Sequence, residues 1–323
     1  MNLLKTIFSI TIIALLTLGI ACKPKQKKST AETPGMDTPM TFPVELVSFS
    51  PEPEKPLFTG TGTNTWDAQI RERGFILFDE GVYKLWYTGY NDSISEKRFL
   101  GLALSDDGVH WKRHAQKPLL PSVWVEDMFV HKENDRYYMF AEGRNDVAHL
   151  LVSQNGIDWE PQGNLNINKA NGIPLDPGPY GTPTVWVENG EKYLFYERND
   201  LGIWLAKSDD FINWTNVQDE PVLDLGPGTY DEAAVAANQV IKYKGKYYMY
   251  YHGSDNPDWN NKNVVALWSS NVAVSKDLLH WTKYEGNPIV QGDFSSNIVV
   301  FDGKSHVLYT THDKVKRYAH AAK

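Results

Sequence analysis

One pattern returns five times along the chain, and it limits the fold more than any other feature. Its clearest copy is Trp124–Gly143, where two short runs of strand-forming residues flank a polar turn and the acidic pair Glu126-Asp127 stands at the entrance. Aligned on Tyr138-Met139-Phe140, the other copies are Lys84-Leu85-Trp86, Tyr193-Leu194-Phe195, Tyr248-Met249-Tyr250 and, more weakly, Val307-Leu308-Tyr309. A unit of roughly 50 residues that alternates apolar and polar positions is the mark of a β-propeller blade. The expected fold class is all-β, a five-bladed β-propeller of four-stranded antiparallel blades. The blades are expected near 68–117, 118–165, 166–219, 220–286 and 287–323, the last completed by a strand from Phe42–Phe49 that removes the open edge. Function is then to be sought on the axis, where the first residues of the inner strands converge.

A chain of 323 residues could hold one large domain or two, and the unbroken repeat favours one. Its 11 Trp, 17 Tyr and 13 Phe are more than a helical bundle would use, and they suit strands. The net charge of −8 argues against a nucleic-acid surface, which needs a clustered basic face. A neutral or weakly charged ligand fits better.

A second marker repeats out of phase with the first: Ser105–Trp111, Ser153–Trp159, Ser208–Trp214 and Ser275–Trp281, each reading S-x-[D/N]-x-[V/I/L]-x-W. Its Ser and Asp or Asn side chains can hold the backbone of a tight turn, and its Trp is expected to pack between neighbouring blades. A third marker, Pro56-Leu57, Pro118-Leu119, Pro221-Val222 and Pro288-Ile289, suits an edge strand near the next blade. Two insertions, Asn166–Tyr180 and Ser254–Ser269, are long for so economical a repeat and read as functional loops.

The N-terminus reads as a targeting signal. Lys5 precedes the apolar run Ile7–Ile20, which is short for a membrane span but suits a signal-peptide core. Leu18-Gly19-Ile20-Ala21-Cys22 resembles a bacterial lipobox, with Gly19 where a Leu is usual, and Cys22 is the single cysteine of the chain. Residues 1–22 are therefore expected to be a signal peptide ending in a lipidated Cys22, 23–41 a flexible tether, and 42–323 the propeller. The protein is expected at the bacterial cell envelope, on the periplasmic face or outer surface, touching the membrane through its lipid alone. With no second cysteine there is no disulfide, so stability must come from the core.

Glu126-Asp127 followed by Tyr137-Tyr138-Met139-Phe140, together with Ser275-Lys276-Asp277-Leu278-Leu279-His280-Trp281, resembles the five-bladed propeller glycosidases: glycoside hydrolase families 43, 32 and 117, with the family 130 phosphorylases as more distant relatives. The likeness covers about residues 55–313. It implies an exported hydrolase of a polysaccharide or oligosaccharide with three axial carboxyl groups: a base or nucleophile on blade 1, a carboxylate on blade 2 that holds the sugar, and a general acid beyond. Asp127, 11 residues before Tyr138, fits the second role. Glu72, 12 before Lys84, falls where families 43 and 32 would carry Asp. On blade 3 the acid's place holds Gly181, followed by Thr182, so the acid must lie elsewhere or be absent.

The catalytic candidates are accordingly Glu72 as general base, Asp127 as the orienting carboxylate and Glu232 as general acid, with inversion of anomeric configuration as the expected outcome. Asp231, Glu142 and Glu197 stay open as alternatives for the acid. Glu126 and Asp127 are adjacent, so in a regular strand only one faces the axis, and the spacing favours Asp127. Further substrate contacts are expected from Arg71, Arg73, Glu126, His252, His312 and Tyr180, and from the matched aromatic-Asp pairs Trp66-Asp67 and Tyr230-Asp231. Glu142 and Glu197 head the similar runs Glu142-Gly143-Arg144-Asn145-Asp146 and Glu197-Arg198-Asn199-Asp200, which read as ion-paired with their arginines. No pair of residues has metal-ligand spacing, so no metal or other cofactor is expected, an axial calcium ion being conceivable but unsupported. The partner is a carbohydrate and the state a monomer. A carbohydrate-binding propeller that has lost its acid, and a phosphorylase in which Arg71, Arg73 and His252 hold phosphate, are the alternatives.

Overall fold

Five antiparallel sheets stand around one axis in chain order. The computed structural model describes residues 40–320 apart from 176–178, 262 and 291, with Glu72 described by its backbone alone. Cys22, the signal and all but the end of the tether lie outside the described residues. Blade 1 comprises Gln69–Asp79, Val82–Asn91, Ser95–Ser105 and Lys112–Arg113; blade 2, Glu126–Glu133, Arg136–Glu142, Ala148–Ser153 and Glu160–Asn164. Blade 3 comprises Gly181–Glu188, Glu191–Glu197, Gly202–Ser208 and Asn213–Asn216; blade 4, Ala234–Tyr243, Lys246–Ser254, Ser269–Ser275 and Trp281–Lys283. Blade 5 has Asn297–Phe301, His306–Thr310 and Lys314–His320, and takes its fourth strand, Phe49–Pro51, from the other end of the chain. Blade 3 gains an extra outer strand, Asn166–Asn168, which runs parallel to Asn213–Asn216.

The closing strand starts later than Phe42. Val44–Val47 is a helical turn whose Leu46 is fully buried against Tyr248, Tyr250 and Leu308, and Tyr250 Oη donates to the Leu46 carbonyl at 3.0 Å. Burying Leu46 in that seam outweighs continuing the strand backwards.

The turn marker works as its residues require. In blade 1, Ser105 Oγ accepts from the Gly108 amide at 2.9 Å, and Asp107 Oδ1 accepts from Val109 and His110 at 2.9 and 2.8 Å. Ser153 with Asn155, Ser208 with Asp210 and Ser275 with Asp277 repeat the arrangement. The fourth residue of each turn has positive φ, near 70°, and is Gly108, Gly156, Phe211 or Leu278. Each turn tryptophan then lies edge-on to an aromatic of the preceding blade: Trp159 on Trp86, Trp214 on Phe140, Trp281 on Phe195 and, across the closure, Trp111 on Tyr309. Four of the five blade interfaces are thus held by matched aromatic contacts, the seam between blades 4 and 5 being the one without a turn tryptophan.

At the axis the blades meet on Arg73. Its guanidinium is fully buried and donates to the carbonyls of Asp127, Pro183 (2.7 Å), Ala237 (3.0 Å) and Asn238 (3.2 Å) and to Thr184 Oγ1 (2.6 Å). One side chain from blade 1 therefore ties the inner strands of blades 2, 3 and 4. A buried cation survives there because carbonyl dipoles replace its water, and Asp127 and Glu142 lie close enough to favour its charge. Among the described residues no helix is long and apolar enough to cross a membrane.

Candidate active site

Inner strands carry bulges at their first residues. On blade 2 the register slips between Glu126 and Phe129, on blade 3 between Gly181 and Thr184, and Asp127 and Thr182 occupy the matching left-handed positions at φ 45° and 44°. A bulge suspends the alternation of faces. Glu126 and Asp127 consequently both reach the axial funnel, contrary to the expectation that only one could.

The funnel has a volume of about 1340 Å³. Blades 1 to 3 line it with Arg71, Tyr90, Glu126, Asp127, Glu142, Asp146, Thr182, Glu197 and Asp200; blades 4 and 5 with Glu232, His252, Asp255, Trp259, Trp268, His312 and Asp313.

The funnel carboxyl groups of blades 2 and 3 are crowded and, apart from the exposed Asp146, largely dry. Glu126 and Glu142 face each other across neighbouring strands. Burial, followed by the charge of Asp127, pushes Glu126 up to about 7 although Trp124 Nε1 donates to it at 2.7 Å. Glu142 is buried further, with Asp127, Glu197, Glu126 and Asp146 around it, and its carboxyl is raised well above the ordinary range. Oε1 of Glu142 accepts the Thr182 amide and, at 3.0 Å, the Thr182 hydroxyl, which leaves Oε2 to carry the proton. Burial lifts Glu197 to about 7 against the amides of Asp200 and Gly181, which favour its ionised form, and Asp200 is raised well above its usual range. Desolvation and like charge together keep protons in this cluster near neutrality.

Gly181 explains how two glutamates fit where one acid was expected. A Cβ there would stand 2.1 Å from Glu142 Oε1 and 2.7 Å from Glu197 Oε1. Both carboxyl groups occupy the space that a side chain at 181 would fill.

The opposite wall differs. Glu232 is exposed, and the insertion 254–269 brings Trp259 edge-on to Trp268, itself edge-on to His252. Burial depresses His252 to about 3 and lowers His312, so both rings are neutral at ordinary pH.

Of the sequence candidates, Arg71, Glu126, Asp127, Glu142, Glu197, Glu232, His252 and His312 come together in the funnel. The side chain of Glu72 lies outside the described residues; its backbone is in the bulge of the first inner strand. Arg73 is spent on carbonyls at the axis and cannot meet a sugar or a phosphate. Asp67 and Asp231 are buried and matched: Asp67 accepts from Tyr87 Oη (3.1 Å) and Arg113 Nε (2.5 Å), Asp231 from Tyr251 Oη (3.0 Å) and Lys283 Nζ (2.6 Å). They cap blades 1 and 4 and do not touch the funnel. Trp66 stacks on Tyr87 and donates to the Gln116 carbonyl, while Tyr180 packs on Tyr196. Neither lines the funnel.

Two residues that sequence reasoning missed are Asp146 and Asp200. Each follows an Asn, both members of the pair having positive φ: Asn145 and Asp146 at 65° and 55°, Asn199 and Asp200 at 54° and 55°. The shared Arg-Asn-Asp ending is a left-handed turn that returns the Asp to the funnel. Arg198, expected to pair with Glu197, lies over the Trp204 ring instead. Oxygens of Glu126, Glu142 and Asp146 lie within 4.8 Å of one another, close enough for a cation, but a cluster of acids that share protons does not by itself make a metal site.

A family model described as β-1,4-mannooligosaccharide phosphorylase matches residues 73–284, blades 1 to 4. A 1,2-β-oligomannan phosphorylase of Thermoanaerobacter is 29% identical over 237 residues, covering 66% of this chain and 74% of that one. In structure, a putative glycoside hydrolase of Parabacteroides distasonis matches with a TM-score of 0.68 at 16% identity over 87% of this chain and 98% of its own. A further structure, described with the words "the GH130 family of mannoside phosphorylases contains glycoside hydrolases that target beta-1,2 mannosidic linkages in Candida mannan", matches with a TM-score of 0.65 at 16% identity over 86% and 95% of the two chains. These likenesses carry the fold: a five-bladed propeller of the glycosidase kind.

Proposed function

The chain belongs to glycoside hydrolase family 130, and from that premise we propose that it cleaves β-linked mannosides in the axial funnel. The names of its relatives support mannoside as the sugar. They also support phosphorolysis, the lesser alternative of the sequence reading, better than they support hydrolysis.

One observation of geometry favours water as the acceptor. Among the described residues of the funnel, nine carboxyl side chains stand against a single guanidinium, Arg71. Arg73 is consumed at the axis and both histidines are neutral, so the groups proposed to hold phosphate are reduced to one. Protons held by Glu126, Glu142, Glu197 and Asp200 lessen this negative charge but leave carboxyl groups in excess of the one guanidinium, so a phosphate dianion would still be repelled where a neutral mannoside and water would not. Export to the cell envelope, the expectation raised by Lys5–Cys22, would also supply water more readily than phosphate.

In this reading the proton comes from Glu142, whose burial holds it, and Glu232, exposed to solvent on the opposite wall, activates the water. The roles differ from the sequence expectation, which gave Glu232 the acid. An acid must keep its proton until the bond breaks and a base must reach water, and the two environments are suited to those tasks in that order. Phosphorolysis is the second reading. The test is product analysis of β-1,4- and β-1,2-mannobiose with and without inorganic phosphate. Free mannose in both conditions supports hydrolysis, and mannose 1-phosphate formed only with phosphate moves the reading to phosphorolysis. Binding without cleavage would leave the carbohydrate-binding alternative.

A further inference from the structure

His252 ends a buried chain of amides that begins at a backbone carbonyl. Asn297 Nδ2 donates to the Asn271 carbonyl at 3.0 Å, Asn238 Nδ2 donates to Asn297 Oδ1 at 2.5 Å, and Asn238 Oδ1 lies 2.8 Å from His252 Nδ1. Asn238 and Asn297 are completely buried and His252 nearly so. Asn238 is the extra residue of the bulge in blade 4's inner strand, between Ala237 and Gln239, and the bulge turns its side chain to the relay. Gln239 clamps blade 4 to the Val299 backbone of blade 5 through both amide atoms, at 3.0 and 2.7 Å.

The polarity of this chain is not free. A carbonyl oxygen can only accept, so the amide of Asn297 must present its nitrogen to Asn271 and its oxygen to Asn238. Turning it round would set oxygen against oxygen in a dry interior. Asn238 must then donate to Asn297, which leaves its oxygen for His252. That oxygen requires a proton on Nδ1. Arg73, whose guanidinium touches the Asn238 carbonyl, opposes a second proton on the ring.

We propose that Asn297 and Asn238 are positioning residues that fix His252 as a hydrogen-bond acceptor of the funnel, its Nε2 lone pair reading a hydroxyl of the sugar. The imidazole then selects a neutral donor and offers nothing to an oxyanion. The proposal deepens the mannoside reading and rests on it for the identity of the hydroxyl, but the state of the ring can be measured without turnover.

The experiment is nitrogen NMR of the whole protein labelled with ¹⁵N-histidine, with His252 assigned by the signals that vanish in His252→Gln. The expected result at neutral pH is a protonated Nδ1 and an unprotonated Nε2, unchanged when inorganic phosphate is added. A proton on Nε2, or a doubly protonated ring with or without phosphate, would overturn the proposal. Asn238→Leu, which removes the acceptor for Nδ1, should release the tautomer, and should that variant not fold the wild-type spectrum still decides. On β-mannobiose, His252→Leu should raise KM about tenfold, the order expected for one lost hydrogen bond, with a smaller rise in His252→Gln, whose carbonyl can accept. Unchanged KM in His252→Leu would refute the substrate contact. No turnover by the wild type would instead remove the mannoside reading, leaving the spectrum to judge the relay.

Discussion

Glu142 occupies space that exists because residue 181 is glycine: a Cβ at Gly181 would lie 2.1 Å from Glu142 Oε1. Real side chains do not approach so closely, and Glu142 is buried at the funnel wall, with Thr182 holding the same oxygen. Two neighbouring blades thus share one acidic centre through the absence of one side chain.

Gly181→Ala should therefore leave the propeller folded and damage the chemistry. No positive φ at 181 resists alanine, so backbone strain is not the cause. Displacing a reacting carboxyl by about 1 Å can cost on the order of a hundredfold in turnover. Native circular dichroism with a large fall in kcat is expected, and full activity would show that neither Glu142 nor Glu197 acts in the reaction.

The blades were legible in the sequence because repetition advertises them, and so were the turns, since Ser105 and Asp107 bond as their types demand. The site was legible only in part. Asp67 and Asp231 repeat because two blades need the same cap, so repetition marked structure there. In Asp146 and Asp200 it marked the funnel. Sequence alone does not separate those cases, because the difference is whether the backbone directs the Asp into its own blade, as at Asp67 and Asp231, or through a left-handed turn into the funnel, as at Asp146 and Asp200. The bulges hid the joint exposure of Glu126 and Asp127, and Arg73 was read as a ligand contact because its five acceptors come from blades 2, 3 and 4, distant in sequence.

The proposed acid and base are separable by leaving group. Glu142→Gln should depress turnover of β-mannobiose by a hundredfold or more, the usual order for a lost acid, and spare aryl mannosides whose leaving group needs no proton. Glu232→Gln should depress both alike, because water must be activated in either case. Equal loss on both substrates in Glu142→Gln would remove it as the acid.

Trp214→Ala should destabilise more than Trp111→Ala. Trp214 is completely buried against Phe140 and Phe211, and its Nε1 donates to the Phe211 carbonyl at 3.1 Å, whereas Trp111 is only partly buried. Truncating a buried Trp costs about 3–5 kcal/mol. Denaturant melts of the two variants compare them directly, and an equal or reversed order would contradict the role of blade contacts in stability.

Cys22→Ser should release the protein from the membrane fraction if the lipobox reading of Leu18–Cys22 is right. Fractionation with an antibody to the propeller tests it. Retention of the processed Ser variant in the membrane would dismiss lipid anchoring.

Glu126→Gln tests the electrostatics of the funnel through its pH dependence. Folding raises the Glu126 carboxyl from 4.5 to about 7, so the native state binds a proton that the unfolded chain gives up across that interval. Its contribution to stability must accordingly fall as pH climbs from 4.5 to about 7 and stay level above. Histidines pull the other way: His149 and His252, depressed to about 4 and about 3, take up protons on unfolding below their ordinary 6.5, so their share of stability rises with pH. The wild-type profile alone mixes the two and decides nothing. The difference between variant and wild type isolates Glu126, because glutamine carries no proton to lose. That difference in Tm should move in favour of Glu126→Gln by a few degrees across the interval, the order that kcal-scale changes produce in domains of this size, and then flatten. A difference independent of pH would mean that Glu126 is ionised in the folded protein, and the proton-holding cluster would have to be reassigned.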